Sequence, residues 1–294
     1  MSGPGRRGVT GGVRGTTRVY GILGDPVAHS LSPAMQNAAF AAAGIDGVYV
    51  PFPVAAADLA ATMTGLFAVG VAGLNVTVPH KEASARLCVA LRPRARACGA
   101  ANTLIRTPRG WVGDNTDGAG LVASLAERRF DPRGKNVLLI GAGGSARSVA
   151  HAFARAGTRL LIVANRTPQR AVDLVATLRR RDAYAADLRV LANPEVLGRL
   201  DLIVDCTSTS LGSGVLPPIR FADTRRDLLC CDLMYGKTSR FLAAAHHAGR
   251  RTVDGGGMLL HQGALAFTLW NGTPAPIGAM RRALGRATRR ASAR

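Results

Sequence analysis

The spacing of apolar and polar positions predicts an α/β unit in the first third of the chain. Short apolar runs between glycine, proline or polar residues are typical of strands, and longer segments are typical of helices. Ser32 and Pro33 have the order expected of an N-cap and a first helical residue. The pattern predicts strands at 18–23, 47–53 and 72–78 and helices at 33–44 and 56–68. This alternation favours a mostly parallel sheet.

After a polar stretch at 113–118 the pattern starts again and predicts a second domain. Strands are predicted at 136–140, 160–164, 200–205 and 228–232, and helices at 119–129, 146–156 and 169–181. Such a series is typical of a doubly wound Rossmann fold. A last helix at 259–269 follows three glycines, and we expect it to cross back onto the first domain.

The chain of 294 residues is long enough for two domains. We therefore predict an α/β protein with a first domain, a Rossmann domain, a C-terminal segment that packs on the first domain, and a basic tail at each end. The predicted bounds are 1–17 for the first tail, 18–118, 119–252 and 253–280 for the folded parts, and 281–294 for the second tail.

The net charge of +20 raises the question of a polyanionic partner. Residues 1–18 carry four arginines and residues 281–294 carry six, without any acid, so half of the net charge lies at the two ends. A basic chain can bind nucleic acid through phosphate contacts. No nucleic-acid module accompanies the charge, which favours solvated tails over a nucleic-acid partner. An arginine-rich body also suits small anionic molecules.

Cysteine usage and hydropathy predict a cytoplasmic protein. The five cysteines form no C-x-x-C pair, and reduced buried thiols are the interpretation that fits best. The apolar runs are too short to span a membrane, and the N-terminus lacks the apolar segment of a secretory signal. No set of histidines, cysteines and acids has the spacing of metal ligands, so no metal is expected.

A glycine-rich turn predicts dinucleotide binding. Residues 141–146 fit G-x-G-x-x-[G/A] and lie between a predicted strand and a predicted helix. Glycines there allow a tight turn and let the backbone approach a pyrophosphate at the helix N-terminus. The candidate contacts are Gly141, Ala142, Gly143, Gly144, Ser145 and Ala146.

The residues after the next strand favour NADP over NAD. An NAD site is typically completed there by an acid that binds the ribose 2′-hydroxyl. This chain has Arg166 between Asn165 and Thr167, and Arg170 one turn later, which suits a 2′-phosphate. Arg147 is a further candidate for the same phosphate. The alternative is that these arginines are solvated residues at a helix start, where an acid would be preferred.

Lys81 is a candidate for proton transfer. The chain has three lysines and thirty-five arginines, so a lysine here goes against its own composition. A lysine can give up and regain a proton, whereas an arginine stays protonated. We expect Lys81 to act with the carboxylate of Asp117, and the alternative is an ordinary surface ion pair.

Five motifs together resemble the shikimate dehydrogenase family, over about residues 18–277. They lie at 24–33, 75–81, 99–103, 115–118 and 256–262. The resemblance implies an NADPH-dependent reduction of 3-dehydroshikimate to shikimate in chorismate biosynthesis. It also implies that the first domain binds the substrate and that the Rossmann domain binds NADP.

The resemblance implies a role for each motif residue. Lys81 would supply the proton and Asp117 would orient its ammonium group. Carboxylate contacts are implied for Ser30, Ser32 and Tyr235, and ring-hydroxyl contacts for Thr77, Asn102 and Gln262, with Asn75 as a neighbour. Further cofactor contacts are implied for Thr207, Gly257 and Met258.

Three positions depart from the family pattern. Asp205 stands where relatives usually have an asparagine, and an acid near the NADP phosphates would weaken binding. The segment after Tyr235 lacks the usual proline, and Gln36 replaces a common histidine. The first two bear on cofactor affinity and loop geometry.

Two alternative functions stay open at the level of the sequence. One is a quinate/shikimate or aminoshikimate-type dehydrogenase, because a single group near the carboxylate can decide between such rings. The other, in a different class, is a basic nucleic-acid-binding protein on an enzyme scaffold. The sequence is compatible with a monomer or a homodimer.

Overall fold

The computed structural model describes residues 12–207 and 219–292, which form two compact units. The first unit contains three segments, Met1–Arg96, Ala100–Thr116 and Gln262–Arg294. The second unit contains Ala97–Gly99 and Asp117–His261. The prediction had instead placed the two boundaries after residues 118 and 252.

The first unit contains a six-stranded mixed sheet. Its strands are β1 (Arg18–Gly24), β2 (Gly47–Pro53), β3 (Gly73–Val76), β4 (Ala90–Leu91), β5 (Thr103–Thr107) and β6 (Gly110–Asp114), in the order β2-β1-β3-β5-β6-β4. The predicted parallel strands β1, β2 and β3 are confirmed. The prediction missed the antiparallel hairpin of β5 and β6, which makes the sheet mixed.

Four helices of this region follow from local sequence signals. They are α1 (Ser32–Ala43), α2 (Leu59–Ala68), α3 (Lys81–Leu87) and α4 (Pro93–Cys98). Helix α1 ends as predicted at Gly44, which has the left-handed backbone (φ 66°) that glycine favours. The predicted N-cap is wrong, because Leu31 holds that position and Ser32 is already helical. The hydroxyl of Ser30 accepts the amide of Ser32 at 3.2 Å instead.

The second unit contains a six-stranded parallel sheet with the predicted Rossmann character. Its strands are β7 (Asn136–Ile140), β8 (Leu160–Ala164), β9 (Ala183–Ala186), β10 (Leu202–Asp205), β11 (Leu229–Asp232) and β12 (Arg251–Val253), in the order β12-β11-β10-β7-β8-β9. The helices are α5 (Asp117–Glu127), α6 (Gly144–Ala156), α7 (Pro168–Leu178), α8 (Pro194–Leu197) and α9 (Arg240–His247).

Strand β7 illustrates why the central strands of this sheet contain nearly continuous apolar runs. Val137 and Leu139 pack into one core and Leu138 and Ile140 into another, on the opposite face. A strand that is covered on both faces needs apolar residues at every position. The glycine-rich turn begins directly after the carboxyl end of β7.

Two helices end the chain. Helix α10 (Gly256–Asn271) is longer than predicted, and α11 (Ile277–Ser292) contradicts the predicted basic tail from residue 281. Met280, Ala283 and Leu284 are buried, and α11 packs on α1 of the same unit. The high arginine content hid this amphipathic spacing, since the arginines occupy only the exposed face.

The other predicted tail is described only in part. Residues 1–11 lie outside the described residues. Arg14 pairs with Asp46 at 3.1 Å, and the hydroxyl of Thr17 donates to the same carboxylate at 2.7 Å. The end of this segment is therefore attached to the first unit, and most of the predicted flexible tail lies outside the described residues.

No helix among the described residues is both long and apolar enough to cross a membrane. All five cysteines are free thiols. Within residues 12–207 and 219–292, no cluster of three or more histidines, cysteines and acids could hold a metal ion.

Candidate functional site

Asn102 is the centre of a buried polar network in the first unit. Its Nδ2 donates to Thr116 Oγ1 at 3.0 Å and to Gln262 Oε1 at 3.2 Å. Its Oδ1 accepts the amide of Thr116 at 2.9 Å and the hydroxyl of Thr103 at 2.9 Å. Two predicted hydroxyl-binding residues, Asn102 and Gln262, are thus brought together. Thr103 and Thr116, which complete the network, were missed although both lie within quoted motifs.

Asn75 is held in the same region by hydrogen bonds within the protein. Its Nδ2 donates to the carbonyl of Asn102 at 3.1 Å, and its Oδ1 accepts the hydroxyl of Tyr49 at 2.7 Å. Asn75 is 4% exposed. Asn75 is therefore bonded to the Asn102 segment, beside which the sequence predicts it.

The ends of parallel strands β1 and β3 bring the motifs at 24–33 and 75–81 together. The amide of Thr77 donates to the carbonyl of Leu23 at 2.8 Å, and that of Asp25 donates to the carbonyl of Val78 at 3.0 Å. A Cβ at Gly24 would lie 2.3 Å from Thr77 Cγ2, so the close approach requires glycine. Ser30, which binds the amide of Ser32, follows this crossing point in the chain.

Lys81 is the first residue of α3 and is partly buried. Its carbonyl accepts the amide of Ala101 at 2.8 Å. Because Ala101 directly precedes Asn102 in the chain, this bond holds the backbone of Lys81 next to the Asn102 segment. The preceding His80 is buried, with Nε2 at 2.7 Å from the carbonyl of Val54, which indicates a structural role.

Gln36 also contacts the segment that carries Gln262. Its Nε2 donates to the carbonyl of Gly263 at 2.9 Å, and its side chain is fully buried. A Cβ at Gly263 would lie 2.3 Å from the Cε atom of Met35, so α1 and α10 pack closely here. Gln36 thus makes a polar contact beside the Asn102 network.

In the second unit, the glycine-rich turn is suited to a dinucleotide. Gly141 has φ of 109°, a conformation that other residues rarely adopt. Gly143 is the N-cap of α6, and a Cβ built on it would meet no atom within 4 Å. Within the part of the chain that the structure describes, no side chain caps this helix end, so its backbone amides can serve a pyrophosphate. The residues present fit the predicted cofactor.

The predicted 2′-phosphate residues lie at the carboxyl end of β8. Arg166 and Arg170 are exposed, and Thr167 is the N-cap of α7. Asn165 Nδ2 donates to the carbonyl of Thr167 at 2.9 Å, which shapes the loop that carries Arg166. Two exposed guanidinium groups at this end of a parallel strand give the positive charge that a phosphate monoester needs.

Three other predicted cofactor contacts also make packing contacts or hydrogen bonds within this unit. Arg147 Nε donates to the carbonyl of Cys98 at 2.7 Å, so its guanidinium holds the 97–99 segment. Met258 is 7% exposed and belongs to the apolar core that also contains Ala142 and Ala146. A Cβ at Gly257 would lie 2.2 Å from Ser124 Oγ, which shows that this glycine lets α10 pack on α5.

Asp117 and Tyr235 are the remaining predicted residues of this unit. Asp117 begins α5 and is 3% exposed. Its charge is the smallest of the causes that raise the pKa of the Cys206 thiol, after burial, Asp205, Cys231 and Asp232. Tyr235 is partly buried in the loop after β11. Asp117 therefore acts on the carboxyl end of β10, near the glycine turn.

Asp205 has an environment that raises its pKa to about 6, first because it is buried and then because Asp232 is near. The amide of Thr207 donates to Asp205 Oδ1 at 2.9 Å and partly opposes this shift. Thr207 also lies against the glycine turn, 3.2 Å from a Cβ built on Gly141. Residues 208–218, which include the end of this motif, lie outside the described residues.

Comparison with known family models assigns separate models to the parts of the chain. The model of the shikimate dehydrogenase substrate binding domain matches residues 22–104. The shikimate / quinate 5-dehydrogenase model matches residues 124–213, and the shikimate 5′-dehydrogenase C-terminal domain model matches residues 255–284.

Individual relatives are similar over nearly the whole chain. Shikimate dehydrogenase (NADP(+)) of Anaeromyxobacter sp. strain K is 47% identical, covering 92% of this chain and 97% of the relative. The enzyme of the same name from Moorella thermoacetica is 44% identical, with 92% and 94% covered. Shikimate 5-dehydrogenase of Thermus thermophilus, solved with NADP(H) and shikimate, is 32% identical with a TM-score of 0.81, covering 92% of this chain and all (100%) of that one.

The parallel sheet and open glycine turn define a dinucleotide-binding α/β protein, of the class of two-unit dehydrogenases. Within this class the matched models span most of the chain, and the relatives exceed 40% identity. The chain belongs to the shikimate dehydrogenase family, as the motifs predicted.

Proposed function

We propose that this protein catalyses the reversible, NADPH-dependent reduction of 3-dehydroshikimate to shikimate, a step of chorismate biosynthesis. The observation that carries the proposal is the buried network in which Asn102 bonds both Thr116 and Gln262. These groups lie in the unit that the substrate-binding domain model matches. The relatives named above are shikimate dehydrogenases that use NADP.

The substrate is a small ring with one carboxylate and several hydroxyls, so its recognition requires oriented polar groups. We assign the hydroxyl contacts to Thr77, Asn102 and Gln262, with Asn75 holding the Asn102 segment. The carboxylate contacts are assigned to Ser30, Ser32 and Tyr235. A network in which every amide is already oriented loses little entropy on binding.

We assign proton transfer to Lys81 and Asp117. As the C3 carbonyl is reduced, negative charge grows on its oxygen, and a lysine ammonium can neutralise it by donating a proton. The backbone of Lys81 is held at the start of α3 by the bond between its carbonyl and the amide of Ala101, next to Asn102, which supports a place for Lys81 beside the substrate. Asp117 is assigned the role of orienting the ammonium group, as the family resemblance implies.

The glycine turn at 141–146 and the arginines at 166 and 170 would hold the cofactor. When bound, NADPH supplies the two electrons and the hydrogen that reduce the carbonyl. The exposed Arg166 and Arg170 support NADP over NAD, because bidentate guanidinium contacts suit a phosphate. The cytoplasmic location and the monomeric or homodimeric state expected from the sequence are part of this proposal.

One assay of the purified full chain tests the proposal. NADP+ and NAD+ are each offered with shikimate, quinate and aminoshikimate, and the reduced nucleotide is followed by absorbance. We expect the highest kcat/KM with shikimate and NADP+. A preference for quinate or the amino analogue would overturn the substrate assignment, and no turnover with any ring would overturn the activity.

The nucleic-acid alternative is tested by replacing charge instead of deleting the chain end. Helix α11 packs on α1, so its removal would disturb the first unit. Arg286 and Arg290 are exposed on this helix, and Arg286→Gln with Arg290→Gln keeps the buried face intact. Salt-sensitive binding of duplex DNA that this double variant loses, in a chain without shikimate turnover, would support the alternative.

A further inference from the structure

Two buried carboxyl groups lie side by side at the ends of neighbouring strands of the second unit. Asp205 ends β10 and Asp232 ends β11, and the two are register partners in a parallel pair. Their exposures are 1% and 0%. Adjacent strands lie about 4.8 Å apart, and register partners extend their side chains from the same face.

The two carboxyl groups accept few hydrogen bonds from the described residues. Asp205 Oδ1 accepts the amide of Thr207 at 2.9 Å, and Asp232 Oδ1 accepts the amide of Met234 at 2.8 Å. Asp232 Oδ2 is buried and has no hydrogen-bond partner among the described residues. Two buried carboxylates on register partners do not both ionise readily, so the pair takes up a proton more readily than an exposed acid does.

Burial and neighbouring charges also raise the pKa values of the two carboxyl groups. Burial is the largest cause that raises the pKa of Asp205, to about 6, and it also raises the pKa of Asp232, which the Ser239 hydroxyl opposes. Every charged group that acts on the pair in the described residues is an acid. Asp254 raises the pKa of Asp232, and Asp117 acts on the thiol of Cys206 beside Asp205.

The pair lies directly beside the glycine turn. Asp205 is the register partner of Ile140, the residue before Gly141. The amide of Cys206 donates to the carbonyl of Ile140 at 2.8 Å, and Thr207 lies 3.2 Å from a Cβ built on Gly141. A negative charge bound at the turn would therefore act on Asp205 with little solvent between them.

We propose that the Asp205–Asp232 pair takes up a proton when NADP binds at the glycine turn. The protonated pair positions Thr207 beside the turn without adding a negative charge there. This inference rests on the proposed cofactor, and it makes Asp205 a positioning residue that couples cofactor affinity to pH.

The direction of the pH dependence follows from linkage. Bound phosphates raise the pKa of the pair above its value in the free protein, so binding is favoured where the pair is protonated. Affinity is then highest below about pH 6 and falls as the pH rises towards the pKa of the bound state. Each unit by which binding raises the pKa weakens binding about tenfold at high pH.

Isothermal titration of NADP+ into the full chain at pH 7.0, in two buffers of different ionisation enthalpy, counts the protons exchanged. We expect net uptake by the natural protein and little or none by Asp205→Asn. The 2′-phosphate has a pKa of about 6, and its own contribution is common to both proteins. Asp227→Asn is the matched control, because that acid is exposed and paired with Arg225, and its proton count should not change.

The affinity gives a second readout. Between pH 5.5 and pH 8.0 the natural protein should lose about tenfold more affinity for NADP+ than Asp205→Asn, for a pKa rise of one unit. If Asp205→Asn does not fold, Asp232→Asn should also lower the uptake, since Asp205 then lacks its charged neighbour.

The outcomes separate this inference from the proposed function. Binding of NADP+ with equal proton counts in the natural protein and Asp205→Asn would overturn the inference alone. If neither variant folds, net release or no exchange by the natural protein at pH 7.5, where the 2′-phosphate is already ionised, would also overturn it. Failure of NADP+ to bind at any pH would overturn the cofactor assignment.

Discussion

Asn102 and Gln262 share a hydrogen bond of 3.2 Å although 160 residues separate them in the chain. Both side chains are buried, at 2% and 8% exposure, and Asn102 is fixed from its other side by Thr116. Buried amides with matched partners are held rigidly, and leaving one without its partner costs about 1–3 kcal/mol. A rigid pair of this kind is suited to distinguish ring hydroxyls.

Replacement of Gln262 by alanine should impair substrate binding selectively. Gln262→Ala removes a substrate contact and one partner of Asn102, so we expect KM for shikimate to rise about 10- to 100-fold. The affinity for NADP+ should change less than twofold. Steady-state kinetics measure the first value and titration the second. Thr268→Ala, on the exposed side of the same helix, is the control and should leave KM unchanged.

Replacement of Lys81 by alanine should lower the rate far more than it weakens binding. Loss of a positioned proton donor costs about 10²- to 10⁴-fold in kcat. The dissociation constant for shikimate should rise much less. Lys135→Ala serves as the control, because Lys135 makes a partly exposed pair with Asp201 at 3.8 Å. Equal losses of rate and binding in Lys81→Ala would contradict proton transfer and indicate a binding role.

Replacement of Arg166 by alanine should reduce the preference for NADP. A hydrogen bond to a charged group contributes about 1.5–3 kcal/mol, so NADP+ should bind about 10- to 100-fold more weakly. NAD+, which lacks the 2′-phosphate, should bind as before. The exposed Arg155 at the end of α6 provides a control of the same chemistry. A parallel loss of both nucleotides would show that Arg166 supports the fold of the turn instead.

Gly118 is needed for the packing of α5 on α6. A Cβ at this position would lie 2.3 Å from the carbonyl oxygen of Ser148 and 2.6 Å from Ala152 Cβ. Gly118→Ala should therefore lower the free energy of unfolding by about 1–3 kcal/mol. Gly65 in α2 is exposed with open space around it, and Gly65→Ala should instead stabilise by about 0.5–1 kcal/mol. Urea denaturation of both variants measures the difference, and destabilisation of equal size would contradict the packing argument.

The parts of the fold predicted best are those with one dominant physical cause. The strands at 136–140 and 160–164 match β7 and β8, because burial on both faces demands uninterrupted apolar residues. Helix α11 was missed, since arginines on its exposed face obscure three buried positions. The hairpin of β5 and β6 was missed as well, because its strands lie almost entirely between the motifs at 99–103 and 115–118, in a stretch to which no element was assigned.

The candidate site shows the same limit. Motifs identified Asn102, Gln262 and the glycine turn, since these residue types have chemistry that little else explains. The bond between Arg147 and the carbonyl of Cys98 was not foreseeable, because the partner is a backbone atom that carries no sequence signal. The pairing of Asp205 with Asp232 was missed for a related reason, since strand order is set by tertiary packing.

The stability of the second unit should fall with rising pH because of Asp205. Its folded pKa of about 6 lies above the usual 3.8, so the group favours folding fully below about pH 3.8 and loses this contribution as the pH rises through 6. In Asp205→Asn this position does not ionise, so the variant does not lose stability from it as the pH rises. The difference in unfolding free energy between Asp205→Asn and the natural protein should therefore grow by up to about 3 kcal/mol between pH 4 and pH 7 and stay constant above. Chemical denaturation at a series of pH values measures it, and a difference that does not depend on pH would show that Asp205 is ionised throughout this range.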